Sequence, residues 1–277
     1  MDSSLEVSEL QRKGNRLHNQ GLNVKANVCY NRAIKLDPKS PNVHYKKGVV
    51  LSEMEKKAGA IHCFNETIRL DPNYTNAYYC KGITLNQMGK KQEALDCYDE
   101  TIRLDPNFTE AYYNKGVILS EVGKKAEAID CYNETILLDP NYANAYYNKG
   151  RALYRLGKNK EALGCFDEAI RTNSNHSDAY CFKGVILREM KKNQEAISCY
   201  DQAIRLNPEN QIALRNRKYI MLKKWGIFSL LPIVKRNTKK IWILRKIILL
   251  LNRLMWFLLE RKWKEEEDKE QKTCNSE

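Results

Sequence analysis

Six cysteines recur at a fixed interval of 34 residues: Cys29, Cys63, Cys97, Cys131, Cys165 and Cys199. Thiols in such a row have three chemistries open to them: metal ligation, disulfide formation and nucleophilic attack. Each lacks its partner. Metal sites built on cysteine draw ligands from CxxC pairs or Cys/His clusters, and the sequence has neither. Equivalent helices pack roughly 10 Å apart, whereas a disulfide needs Cα atoms within about 7 Å. The four histidines, His18, His44, His62 and His176, are scattered with no paired nucleophile. Glu93, Glu127, Glu161 and Glu195 keep the same interval, which describes a solvated helix face rather than an acid/base pair. The expectation is reduced thiols acting as small apolar fillers, with no catalytic residue, no metal and no cofactor.

The interval itself organises the chain. Residues 75–108, TNAYYCKGITLNQMGKKQEALDCYDETIRLDPNF, are repeated with small edits as 109–142, TEAYYNKGVILSEVGKKAEAIDCYNETILLDPNY. Sliding the chain by 34 residues also aligns Gly14, Gly48, Gly82, Gly116, Gly150 and Gly184, and the aromatics Tyr30, Phe64, Tyr98, Tyr132, Phe166 and Tyr200. Within one unit, Tyr78, Gly82 and Leu85 share one face of a first helix, and Ala94, Leu95, Tyr98 and Ile102 share one face of a second. Gly82 and Ala94 are small where the two helices approach. Met88-Gly89-Lys90-Lys91 supplies the turn between them, and Leu104-Asp105-Pro106-Asn107 ends the second helix, since proline cannot continue it. Pro38, Pro72, Pro106, Pro140 and Pro208 close the units, with Ser174 as the lapse. One such hairpin cannot bury its apolar face alone; stacked neighbours do.

A 34-residue helical hairpin is the period of the tetratricopeptide repeat, and the chain resembles that family over residues 7–210, as six units starting at Val7, Pro41, Thr75, Thr109, Ala143 and Ser177. The resemblance implies an all-α fold: a right-handed superhelical solenoid of antiparallel helical hairpins, whose first helices line a concave groove for a peptide or protein. Residues 1–6 are then a short frayed lead. Residues 211–224 resemble the extra helix that caps the last open face, with Ile212, Leu214, Tyr219, Ile220 and Leu222 covering it and Arg215, Arg217 and Lys218 in water. Unit one is more polar than the others, as an end-capping repeat should be.

The family analogy places two rows on the groove. The first is Tyr45, Tyr79, Tyr113 and Tyr147, with Cys181 in the last unit; the second is Lys46, Cys80, Asn114, Asn148 and Phe182. Asn114 and Asn148 match the asparagine ladder with which the O-GlcNAc transferase repeats hold extended peptide backbone. Arg151, Arg155 and Arg188 make the later groove basic. The tyrosines have two readings: groove contacts, because exposed aromatics mark interfaces, or packing between first helices. Arg12-Lys13-Gly14-Asn15 resembles the opening of chaperone-binding members, which clamp an acidic C-terminus. Asn15 keeps that pattern, while Gln11, Lys46, Asn76 and Cys80 depart from it.

The formal charge of +13 is concentrated beyond the repeats. Residues 211–264 hold fifteen Lys or Arg against Glu260 alone, and 265–277 read as an acidic, disordered tail. The segment 225–264 is apolar and basic, with Pro232 interrupting its first run. On a helical wheel, Arg245, Lys246 and Arg253 gather with Trp242 and Trp256 on one stripe of 241–260, opposite a continuous Ile/Leu/Met/Phe arc. That pattern fits a helix lying in an anionic membrane interface. Two rivals stay open: a transmembrane span, against which a central arginine costs about 2.5–3.5 kcal/mol, and burial of the arc against protein. Nucleic acid has no supporting fold, and KRNTKK is a short run. MDSSLEVSEL is polar and acidic, unlike a signal peptide, so a cytoplasmic site, peripheral to a membrane through the tail, is expected. The functional expectation is a non-catalytic adaptor that binds a protein or peptide in its groove. The alternatives are a cochaperone-like receptor for acidic peptide tails and an accessory subunit of an enzyme such as a glycosyltransferase.

Overall fold

The computed structural model describes residues 3–224, and every element among them is helical. Six hairpins follow one another: α1 (Ser3–Asn19) with α2 (Asn23–Leu36), α3 (Pro41–Glu53) with α4 (Lys57–Leu70), and α5 (Thr75–Gln87) with α6 (Lys91–Leu104). The second half has α7 (Thr109–Glu121) with α8 (Lys125–Leu138), α9 (Ala143–Arg155) with α10 (Asn159–Thr172), and α11 (Ser177–Glu189) with α12 (Asn193–Leu206). A last helix, α13, spans Gln211–Lys224. The repeats form a compact unit that ends at Ala213.

Two aligned rows meet inside every hairpin. The glycine of each first helix lies under the aromatic ring of its own second helix, sixteen residues on. A Cβ on Gly82 would stand 2.8 Å from the Tyr98 ring, and one on Gly48 would stand 2.6 Å from Phe64. Those rings are buried, each contributing on the order of 1.5–3 kcal/mol of burial, and only glycine leaves room for them. Successive hairpins then pack second helix to first, α2 on α3 through α10 on α11. First helices also touch one another (α1 on α3, α3 on α5 and onward), while among the described residues no second helix touches the next second helix. The odd-numbered helices are therefore the crowded inner row of a curved stack, and the even-numbered ones are splayed along the outer side.

The turns rest on more than proline. At the end of each second helix an Asp or Asn side chain accepts the N–H two residues on, from Asp37 to Lys39 through Asn207 to Glu209, at 2.9–3.1 Å. Asn173 does so for Asn175 at 3.0 Å, so the turn survives where Ser174 replaces proline. The turn inside each hairpin needs a left-handed residue. Gly21, Gly89, Gly123 and Gly157 supply it at little cost, whereas Glu55 and Lys191 adopt φ of 57° and 62° without that freedom.

Two expectations are corrected. Helix α1 begins at Ser3, four residues before Val7, because Glu6 suits a helix N-terminus and Val7 and Leu10 have a core to enter. In unit one, Leu22, Val24, Val28 and Leu36 are exposed. In α13 the buried stripe is Ala213, Asn216 and Ile220, while Ile212 and Tyr219 are 44% and 45% exposed. At 100° per residue those two fall to one side of the stripe, which the count of apolar residues could not show. No helix among the described residues is long and apolar enough to cross a membrane.

Candidate functional site

The inner row carries the tyrosines and asparagines, but largely turned toward each other. Asn114 Nδ2 donates to the Tyr79 hydroxyl at 3.1 Å, and Asn148 Nδ2 donates to the Tyr113 hydroxyl at 3.0 Å. Tyr45 faces Cys80 Sγ at 3.6 Å. Tyr147 meets Phe182 ring to ring at 5.8 Å. Each of these joins one unit to the next, 35 residues on.

The same four tyrosines pack, ring tilted against ring, on a row absent from the sequence reading: Tyr74, Phe108, Tyr142 and His176, at centroid distances of 5.0, 4.7, 4.9 and 4.6 Å. That row could have been found, since each member stands two residues after the Pro (or Ser174) that closes its unit. Burial pushes the Tyr79 and Tyr147 phenols up to about 12. The tyrosine row thus does packing work and remains half-buried on the inner side.

Open space lies beside it. A cleft of about 450 Å³ is lined by Val117, Ser120 and Glu121 of α7, Asn148, Arg151 and Arg155 of α9, Tyr132 of α8 and Lys91 of α6. Arg151 is held over the rings of Tyr147 and Phe182, 5.5 and 5.6 Å away, and donates to Asn148 Oδ1 at 3.4 Å. Lys91 pairs with Glu121 at 3.0 Å. Arg155 is exposed at the end of α9. The structure therefore brings Tyr113, Asn148, Arg151 and Arg155 to one stretch of the inner face. Arg188 is half-buried on α11 and outside the cleft lining. Tyr45 and Tyr79 lie further toward the N-terminal units. Trp242, Arg245, Lys246, Arg253 and Trp256 lie outside the described residues.

The eight cysteines among the described residues are free thiols. Burial raises Cys97 and Cys131 to about 11, which disfavours the nucleophilic thiolate. No group of three or more His, Cys, Asp or Glu among the described residues is placed to hold a metal ion. Of the clamp positions, Asn15 accepts the Tyr30 hydroxyl at 2.8 Å, so its side chain already serves unit one.

Comparison with known proteins agrees with the geometry. Family models for the tetratricopeptide repeat match residues 41–74, 75–108, 109–142, 143–176 and 177–210, and a TPR repeat model matches 14–55. A search of curated protein sequences gave no significant match. Among solved structures, MamA is 26% identical with a TM-score of 0.57, over 60% of this chain and 96% of its own. YrrB, a TPR protein with an unusual peptide-binding site, is 22% identical with a TM-score of 0.60, over 68% and 97%. PilF of Pseudomonas aeruginosa reaches a TM-score of 0.67 at 17% identity, over 79% and 100%, which speaks for fold alone. With the hairpins, the aligned rows and the family models over 41–210 in one register, and matches reaching back to residue 14, this chain belongs to the tetratricopeptide repeat family.

Proposed function

We propose that this chain is a non-catalytic interaction scaffold that takes a peptide or protein segment along its inner face, with the cleft between α7 and α9 as the main contact. The observation that carries this is the cleft itself. It sits on the crowded inner row and combines apolar walls from Val117 and Tyr132 with donors from Ser120, Arg151 and Arg155. A mixed lining of this kind suits a peptide better than a small apolar ligand. YrrB supplies a precedent for peptide binding on this fold. Because the asparagine donors are engaged by tyrosines, backbone recognition by a free asparagine ladder is not part of the reading.

The segment 225–264 is assigned, on its sequence alone, the role of tethering the scaffold to an anionic membrane surface. The scaffold reading is tested by capturing partners with the full-length chain and mapping cross-links. Cross-links to α7 and α9 support it. Cross-links confined to even-numbered helices or to 225–277 overturn it.

A further inference from the structure

The last residue of each inner helix occupies one repeated place: Asn19 on α1, Glu53 on α3, Gln87 on α5, Glu121 on α7, Arg155 on α9 and Glu189 on α11. Three of these are carboxylates that lock a unit to the one before it. Glu53 receives Asn23 Nδ2 at 3.0 Å and His18 Nε2 at 2.9 Å. Glu121 pairs with Lys91 at 3.0 Å. Glu189 accepts the Tyr154 hydroxyl at 2.6 Å.

At the junction of units four and five the sign is reversed. Lys91 reaches the residue 30 positions ahead of it, as Asn23 does, and the same offset from Lys125 leads to Arg155. By repeat register Lys125 and Arg155 are the counterparts of Lys91 and Glu121, so a cation stands at the chain position that Glu53, Glu121 and Glu189 hold at three sister junctions. Arg155 has no ion pair or hydrogen bond among the described residues. One turn back on the same helix, Arg151 is fixed by two rings and Asn148 and has no carboxylate partner among them. Both line the 450 Å³ cleft.

We propose that the four–five junction is an anion site, filled by the carboxylate of an aspartate or glutamate side chain in an extended partner peptide. The proposal rests on the inner-face reading above and adds the ligand chemistry to it. A carboxylate is chosen because that is the group that Glu53, Glu121 and Glu189 bring to the equivalent place. Arginine meets carboxylate in a planar, two-pronged geometry. Val117 and Tyr132 wall the cleft, so the peptide chain around the acid finds apolar surface on either side.

The test uses the full-length chain in about 0.15 M salt, which screens long-range attraction beyond about 8 Å. The probe is a labelled ten-residue peptide with glutamate at alternate positions; its glutamine counterpart is the control. Affinity is read by anisotropy, and the place of binding by hydrogen exchange, since the basic 211–264 stretch gives its own background. The glutamate probe is expected to bind at least tenfold tighter than the glutamine probe and to protect 117–121 and 148–155. Arg155→Glu rebuilds the sister pair with Lys125, so it should keep the fold and abolish that protection. Gln87→Glu, the same change at junction two–three, should leave protection unaltered. Protection that persists in Arg155→Glu, or that never appears in the wild type, overturns the site. If partners still cross-link to α7 and α9 in that case, the scaffold reading stands without it. Probe protection at the cleft combined with partner cross-links elsewhere instead separates the site from the scaffold contact and defeats the latter.

Discussion

Asn148 donates its amide to the hydroxyl of Tyr113 across 3.0 Å, joining α9 to α7 through residues 35 apart in the chain. The bond crosses from one repeat to the next, on the side where the helices crowd. Its counterparts vary along the stack: amide to phenol at Tyr79–Asn114, phenol to thiol at Tyr45–Cys80, and ring against ring at Tyr147–Phe182. One repeated place therefore holds three kinds of contact, and the strength of the junctions should vary with them.

The Tyr113–Asn148 pair is testable by a double-mutant cycle with Tyr113→Phe and Asn148→Ala. Each single change removes a half-buried hydrogen bond and should cost about 0.5–1.5 kcal/mol. The two together should cost less than their sum by about 0.5 kcal/mol or more, since residues in direct contact couple. Strict additivity in urea unfolding would show that the bond has no energetic role.

Glycine to alanine should have opposite effects at two helical positions. At Gly82 the added Cβ meets the Tyr98 ring at 2.8 Å, and that ring is buried, so Gly82→Ala should destabilise by about 1–3 kcal/mol. At Gly164, within α10, nothing lies within 4 Å, so Gly164→Ala should stabilise by about 0.5–1 kcal/mol through helix propensity and lower unfolded-state entropy. Thermal melts of the two variants decide it; equal effects would contradict the packing.

Alkaline pH should weaken the fold. Burial raises Cys97 and Cys131 from 9.0 to about 11, and Tyr30, Tyr79 and Tyr147 from 10.0 to about 12. These groups are neutral when protonated. Above their ordinary values the unfolded chain has released protons that the folded chain still holds, so stability falls as pH rises. The contribution is intact below about pH 8.5, begins to go as unfolded thiols ionise, and drops faster once unfolded phenols ionise near pH 10. Urea midpoints measured from pH 7.5 to 10.5 should trace that decline. Native tyrosines titrating with an ordinary midpoint would remove its cause.

For the tail, the full-length chain should co-sediment with vesicles containing anionic lipid and should be released by salt. Arg245, Lys246 and Arg253, each changed to Glu, should abolish most of that binding, because each base near an anionic surface contributes about 1 kcal/mol. Circular dichroism of the triple variant should show the same helical signal in solution. Binding that is indifferent to lipid charge would favour burial of the apolar arc against protein or in the bilayer.

The hairpins were legible from residue order because their causes are local. Period 3.6 marks each helix, the Asp/Asn–Pro and Gly–Lys stretches mark its ends, and a 34-residue copy fixes the register, so the turn at 88–90 falls within the expected Met88–Lys91, with Lys91 opening α6. Rows that face each other across helices left no such trace. Gly82 and Tyr98 are 16 residues apart, Tyr113 and Asn148 are 35, and Lys91 and Glu121 are 30; these offsets come from how hairpins cross and stack, not from the period. The tyrosine row accordingly read as either groove or packing, and only the tertiary structure shows it packed against Tyr74, Phe108, Tyr142 and His176. Arg155 stood in the sequence as one more basic residue of the later units. Its meaning depends on the acids that occupy the equivalent place at other junctions, and tertiary packing alone decides which side chains meet there.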